Sequence, residues 1–126
     1  MTEPSIEYEP AVASVQNWLK AKLSGVSVST KVPASRPAKF VTVSASGGSP
    51  QSKVLEWRWV TVKCTDANEL LTARLAEHAL NLVRQMRGTS GVREVRLVGG
   101  PDSMPDPDAN YECYQFTVAL LLRARV

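Results

Sequence analysis

The order of the sequence patterns constrains the fold of this chain most strongly. Apolar residues recur first with a helical period, then with strand alternation, then over a longer helical segment, and finally with strand alternation again. This predicts an α+β fold in the order α-β-β-β-α-β-β, with two helices packed on one mixed or antiparallel sheet of about four or five strands. The 126 residues fit a single domain over 10–126, preceded by a flexible arm at 1–9.

Two helices are predicted from their apolar faces and end signals. The first begins at Pro10, which suits a first helical turn, and ends near Ser24, before Gly25. Its apolar stripe is Val12, Val15, Leu19 and Leu23. The second begins at the capping pair Asp66 and Glu69 and ends near Arg87. Its apolar face is Leu71, Leu75, Ala79, Leu82 and Met86, widened by Ala76, Leu80 and Val83.

Five segments have the composition and alternation of strands. They are Val26–Val32, Phe40–Ala45, Val54–Cys64, Val92–Val98 and Tyr111–Arg125. The loops between them include 46–50, which contains Gly47 and Gly48, and the proline-rich segment 99–110. In the last strand one face is a core-facing set, which consists of Tyr114, Phe116, Val118, Leu120 and Leu122.

The third predicted strand changes its apolar face along its length. Leu55, Trp57 and Trp59 share one face, whereas the next apolar residues, Val60 and Val62, lie on the other. A β-bulge near Trp59–Val60 would explain the change. Alternatively, the outer part of the hairpin packs on another surface, such as a neighbouring subunit. Both explanations stay open at this point.

No group of residues has the pattern of a catalytic or cofactor site, and we expect neither an enzyme nor a cofactor. The single histidine, His78, is expected at the edge of a helix face, and Cys64 and Cys113 are expected to be reduced, buried thiols. One histidine and two distant cysteines do not make a zinc site. Prolines interrupt the spacing of Asp102, Asp106 and Asp108 that a calcium loop would need.

Charge and aromatic residues leave nucleic-acid binding as an alternative. The net charge is +3, and because residues 1–10 carry three acids and no base, residues 11–126 carry +6. The basic residues are scattered, but Trp57-Arg58-Trp59 places aromatics beside a base on a strand, as stacking platforms do. No segment has the length and polarity of a membrane span or a signal peptide, so we expect synthesis in a cytoplasm and no membrane partner.

The ordered set of motifs resembles the tail terminator proteins of long-tailed bacteriophages, especially those that infect actinobacteria. The matching elements span nearly the whole chain. They are Trp18-Leu19, Val32-Pro33 with Pro37 and Phe40-Val41, Gly47-Gly48, the strand 54–64, the helix 66–87, and Gly100-Pro101 with Pro105-Asp106-Pro107.

The resemblance implies a structural virion protein located at the head–tail junction. Six copies would form a ring that caps the tail tube, stops its polymerisation and provides a docking face for head-completion proteins, while DNA passes through the lumen without sequence recognition. The alternatives are another head–tail connector, such as a head-closure or tail-completion protein, and a small nucleic-acid-binding module.

The interface residues are hypotheses drawn from the hairpin and the late loop. The protein-interface set is Gly47, Gly48, Lys53, Trp57, Trp59, Pro101, Met104 and Pro105, and the set of charges for the rim or lumen is Arg36 and Lys39. The change of apolar face motivates the hairpin residues, and prolines that hold an exposed loop shape motivate the others.

Overall fold

A computed structural model of the chain describes residues 8, 10–33, 35, 37–89, 91–104 and 112–124. It has the predicted order of elements and an α+β fold. The elements are α1 (Ala11–Lys22), β1 (Ser27–Ser29), β2 (Phe40–Pro50), β3 (Leu55–Thr65), α2 (Glu69–Arg84), β4 (Val92–Ser103) and β5 (Tyr114–Arg123). No helix in these ranges has both the length and the apolar character that a membrane crossing requires.

The five strands form one mixed sheet in the order β1-β2-β3-β5-β4. The short β1 is parallel to β2, and every other neighbouring pair is antiparallel. The central pair, β3 and β5, keeps a continuous register from Leu55 opposite Arg123 to Cys64 opposite Tyr114. The interior of the sheet is therefore regular, and the irregularities lie in β2 and β4.

Both helices pack on the same face of the sheet. A single core cluster joins α1 (Val15, Leu19) and α2 (Ala79, Val83) to Phe116 of β5 and its neighbours. The predicted core set of β5 is confirmed, since Phe116, Val118, Leu120 and Leu122 are all at most 2% exposed. The fold is therefore a two-layer arrangement, with helices on one side of the sheet only.

The helix ends have clear physical causes. Pro10 precedes α1, and Gly25 follows it with a φ of 68°, a conformation that glycine adopts without strain. The cap of α2 differs from the prediction: Asn68, and not Asp66, accepts a hydrogen bond from the Leu71 amide at 2.9 Å. Leu71 itself is 39% exposed, so the first turn of α2 extends beyond the core.

Several strand boundaries differ from the prediction. Of the predicted last strand, Tyr111–Arg125, β5 covers Tyr114–Arg123, and Tyr111 and Arg125 themselves lie outside the described residues. Residues 46–50, predicted as a loop, continue β2 beyond a register shift between Ala45 and Gly47, and the chain reverses at 51–54 instead. The predicted strand Val26–Val32 is ordered as a strand only over Ser27–Ser29. Strand β4 continues past Val98 to Ser103, so the predicted loop at 99–110 begins inside the sheet, and its later part, 105–110, lies outside the described residues.

The extension of β4 depends on Gly100. This residue has a φ of 87°, and an added Cβ would lie 2.9 Å from the Phe116 Cα and even closer to the Gln115 carbonyl oxygen. Both neighbours are in β5, so the backbone of β4 approaches β5 too closely for any side chain at this position.

We expect Gly100→Ala to lower the free energy of unfolding by at least about 2 kcal/mol, because it combines a strained φ with a backbone clash. The matched control is Gly99→Ala, where an added Cβ meets nothing within 4 Å. The control should change stability by less than about 1 kcal/mol. Urea denaturation of both variants checks the difference, and equal stabilities would contradict the proposed close approach.

Candidate protein interface

The most distinctive surface of the molecule is the sheet face that carries no helix. Opposite residues of antiparallel strands share a face, so Trp57 lies beside Leu121, and Trp59 lies beside Ala119. We call this surface the helix-free face and define it by Trp57, Trp59, Thr61, Thr117, Ala119 and Leu121. The hydrogen bond between the Thr61 and Thr117 hydroxyls, at 2.8 Å, confirms that these side chains project to the same side.

The register of β3 explains the change of apolar face seen in the sequence. Strand β3 has no bulge in its pairing with β5, so Val60, Val62 and Cys64 face the helices while Trp57 and Trp59 face away from them. The bulge predicted near Trp59–Val60 is therefore wrong; the irregularity lies in β2, at the register shift between Ala45 and Gly47, which lie opposite Val60 and Trp59. The two tryptophans therefore lie on the side of the sheet that the helices do not cover.

The tryptophans are held in defined positions. The Trp57 indole donates a hydrogen bond to the Gln51 side-chain oxygen at 3.1 Å, and the Arg96 guanidinium carbon lies 5.0 Å from the Trp57 ring centroid. This distance is that of a cation–π contact. Trp59 is 40% exposed and lies beside Gly47, where an added Cβ would be 3.9 Å from the ring. The absence of a side chain at Gly47 leaves the ring accessible.

A cleft of about 310 Å³ opens beside Trp59. Met104 and Val98, which are 47% and 48% exposed, line it together with Trp59. Its polar lining comes from Ser46, Asp102, Gln115 and Thr117. An exposed tryptophan and methionine in a cleft with polar groups around it are typical of the central part of a protein–protein interface.

The structure brings together interface residues that the sequence predicted from two separate segments. Trp59 and Met104 meet at the cleft, Gly47 lies opposite Trp59 in the sheet, and Trp57 is the next residue on the same face. Pro101 lies in β4, adjacent to this cleft through Gly100.

The remaining predicted residues lie elsewhere. Gly48 pairs with Arg58, and a Cβ there would collide with the Trp57 carbonyl oxygen, so the glycine permits the irregular β2–β3 pairing. Lys53 is exposed in the reversal between β2 and β3. Lys39 contacts Asp66 at 3.8 Å, which fixes the beginning of β2 to the end of β3. Arg36 and Pro105 lie outside the described residues.

Sequence reasoning missed Arg96, Val98 and Gln115. Gln115 lies near Trp59 because β5 pairs with β3, and Arg96 and Val98 lie near the tryptophans because β4 pairs with the other edge of β5. Sequence patterns do not reveal which strands pair. The available signal was the mixed polarity of 92–98, which is typical of an edge strand with one accessible side.

A second concave surface lies on the helix side. It is a groove of about 660 Å³ between α1 and the end of α2, with Trp18, Met86, Val92 and Leu122 in its lining. The Trp18 indole donates to the Leu82 carbonyl at 2.6 Å, and the Lys22 ammonium lies 4.7 Å from its ring centroid. The molecule thus has apolar recesses on both sides of its sheet.

The two residues considered for catalysis, Cys64 and His78, lie in different environments. Cys64 is fully buried in the core, and burial raises the pKa of its thiol strongly, whereas His78 is exposed on α2. Among the described residues there is no cluster of three or more His, Cys, Asp or Glu side chains that could hold a metal ion.

Comparison with protein-family models finds no model that matches the chain, and comparison with curated proteins finds no match either.

We expect the two thiols, Cys64 and Cys113, to be unreactive in the folded protein. Both are buried, and a raised pKa keeps the Cys64 thiol protonated at neutral pH, where the thiolate is the reactive form. Ellman's reagent should detect almost no thiol in native buffer and both thiols in denaturant. Immediate reaction of the native protein would show that the core around Cys64 opens readily.

Proposed function

We propose that this protein is a tail terminator: a structural subunit that assembles as a hexameric ring on the end of a phage tail tube. The observation that carries the proposal is the helix-free face, where the exposed Trp59 and Met104 line an open cleft and the half-buried Trp57 lies next to them on the same face. Tryptophan and methionine exposed in this manner are typical of surfaces that are buried in an assembly.

The number of recesses also supports an assembly subunit. A subunit in a ring contacts a neighbour on each side, and a terminator contacts in addition the tube below it and the connector above it. The cleft at Trp59 and the groove at Trp18 lie on opposite sides of the sheet. One chain with two separate apolar recesses suits this multiple contact better than it suits a binary complex.

The mode of action follows from symmetry. A ring that offers the tube one face with the tube's own symmetry can add to its end, and a different opposite face prevents the next tube subunit from adding. Recognition of a polymer end needs shape and apolar contact, with no covalent step. The same ring presents its upper face to the head-completion protein, and its lumen transmits DNA.

The native mass of the protein over a concentration series tests the proposal. A species of six times 13.7 kDa is expected, either alone or after addition of tail tubes. Electron microscopy of tubes incubated with the protein should then show capped ends that no longer elongate. A chain that stays monomeric with tubes present and leaves tube growth unchanged would overturn the proposal.

The replacement Trp59→Ala should weaken assembly of the hexamer at least about tenfold. It should change the stability of the monomer little, because the Trp59 side chain is 40% exposed in the monomer. The control is Leu70→Ala at the start of α2, a residue that is 60% exposed on the helix side. Sedimentation compares assembly, and urea denaturation compares stability. If Trp59→Ala unfolds the monomer and Leu70→Ala disrupts the ring, the interface lies elsewhere.

One observation favours a second candidate function, the binding of single-stranded nucleic acid. Trp57 and Trp59 lie on a sheet face beside Arg96, and bases stack on such aromatic platforms. Fluorescence titration with an oligonucleotide at several salt concentrations distinguishes the two functions. Tight binding with a steep salt dependence would favour this candidate, and weak binding at low salt only would remove it.

A further inference from the structure

Both edges of the sheet offer unpaired backbone. On one side, β1 pairs only with Phe40, Val41 and Thr42, so among the described residues no strand covers the outer edge of β2 over 43–50. On the other side, β4 pairs with β5 along its inner edge, and no described strand covers its outer edge. Only the start of that edge is occupied, because the Val92 amide donates to the Thr89 carbonyl and the Val92 carbonyl accepts from the Gly88 amide. An uncovered edge of this length is a template for another strand.

The strand directions make the two edges compatible with each other. The strands β2, β3, β5 and β4 are successively antiparallel, and their number is even, so β2 and β4 run in opposite directions. If copies are placed side by side in the same orientation, β4 of one copy therefore meets β2 of the next as an antiparallel pair. This is the more stable type of pairing, and it requires no inversion of the subunit.

The free parts of the two edges also lie at the same level. The register across the sheet connects Gly47 to Trp59, Trp59 to Ala119, and Ala119 to Arg96. It connects Ser49 in the same way, through Trp57 and Leu121, to Glu94. The uncovered half of β2 is thus level with the first half of β4, 92–99, while β1 blocks only the other half.

The side chains on the two edges differ in a complementary way. Residues 44–49 of β2, Ser-Ala-Ser-Gly-Gly-Ser, are small, uncharged and exposed. They carry neither the charges nor an internal proline by which edge strands usually discourage pairing, and the register shift between Ala45 and Gly47 is the one irregularity within them. Strand β4 instead presents two large exposed residues, Leu97 and Val98, which are 39% and 48% exposed. Large side chains on one edge fit against the small residues on the other.

We propose that copies of this chain associate edge to edge, with the free edge of β2 (43–49) in one copy pairing antiparallel with β4 (94–98) of the next. The contact is heterologous, so each copy uses both edges and the sheet continues from subunit to subunit. Closure of this continuous sheet into a ring rests on the proposed function, whereas the pairing itself does not. The cleft at Trp59 lies beside Gly47 and becomes part of the contact.

Cross-linking between two variants that each carry one added, exposed cysteine tests the pairing. Ser46→Cys places a thiol on the edge of β2, and Val98→Cys places one on β4, while the native Cys64 and Cys113 are buried. A short bismaleimide should give a covalent dimer in an equal mixture of the variants and in neither variant alone. The control mixture of Ser46→Cys with Leu70→Cys, on the helix side, should give none.

The outcomes separate the pairing from the ring. Cross-linked dimers with open chains, and no hexamer even after tail tubes are added, would support the pairing and contradict the proposed function. A hexamer without cross-linking in the mixture would overturn the pairing and leave the proposed function standing. Dimers from Ser46→Cys alone would indicate two-fold pairing of β2 with itself, and this also overturns the proposal, as does a protein that neither cross-links nor assembles.

Hydrogen exchange of the unmodified protein gives a check that needs no variant. Amides of 43–49 that point away from β3 should exchange at least about tenfold more slowly at assembling concentrations than in dilute solution, because they gain partners. Amides of the exposed reversal at 51–54 serve as the internal reference and should not change. Assembly without this protection would overturn the edge pairing.

Discussion

Two helices of this length can cover only one face of a five-stranded sheet, and the rest of the molecule follows from that constraint. α1 and α2 contribute to one core with Val60, Val62 and Phe116, and in return the alternate residues of the same strands are directed away from the helices. In β3 these alternate residues are Trp57 and Trp59. Two of the largest apolar side chains of the protein thus lie on a face that its own helices do not cover.

This arrangement could be predicted in part from the sequence. The order of elements and the helix faces could be predicted because period and end signals are local properties of the chain. The alternation of Trp57 and Trp59 against Val60 and Val62 correctly indicated two different environments. It did not indicate whether β3 itself is bulged, because a bulged strand with one apolar face and a regular strand with two apolar faces give the same sequence pattern.

The errors in the extent of β2 and β4 have one physical origin, which is that glycine serves both in turns and at close approaches between strands. Gly47 and Gly48 were assigned to a turn because glycine tolerates turn conformations, yet they lie inside β2, where one leaves room for the Trp59 ring and the other for the Trp57 carbonyl. Gly100 likewise permits close approach of β4 to β5. Close approach between strands is a property of tertiary contact, so no local pattern could reveal it, and the same holds for the contact of Arg96 with Trp57.

The position of β5 in the sheet has a consequence for how the chain acquires its structure. The strands β2 and β3 are joined by a short reversal and can pair early, but the other side of β3 pairs with β5, as Val60 with Val118, only after α2 and β4 have been made. Pairing of residues so distant in the chain is slow compared with hairpin formation. During synthesis on a ribosome, therefore, the β3–β5 pairing at the centre of the sheet forms last. Until β5 has been made, one edge of β3 in the β2–β3 hairpin stays unpaired.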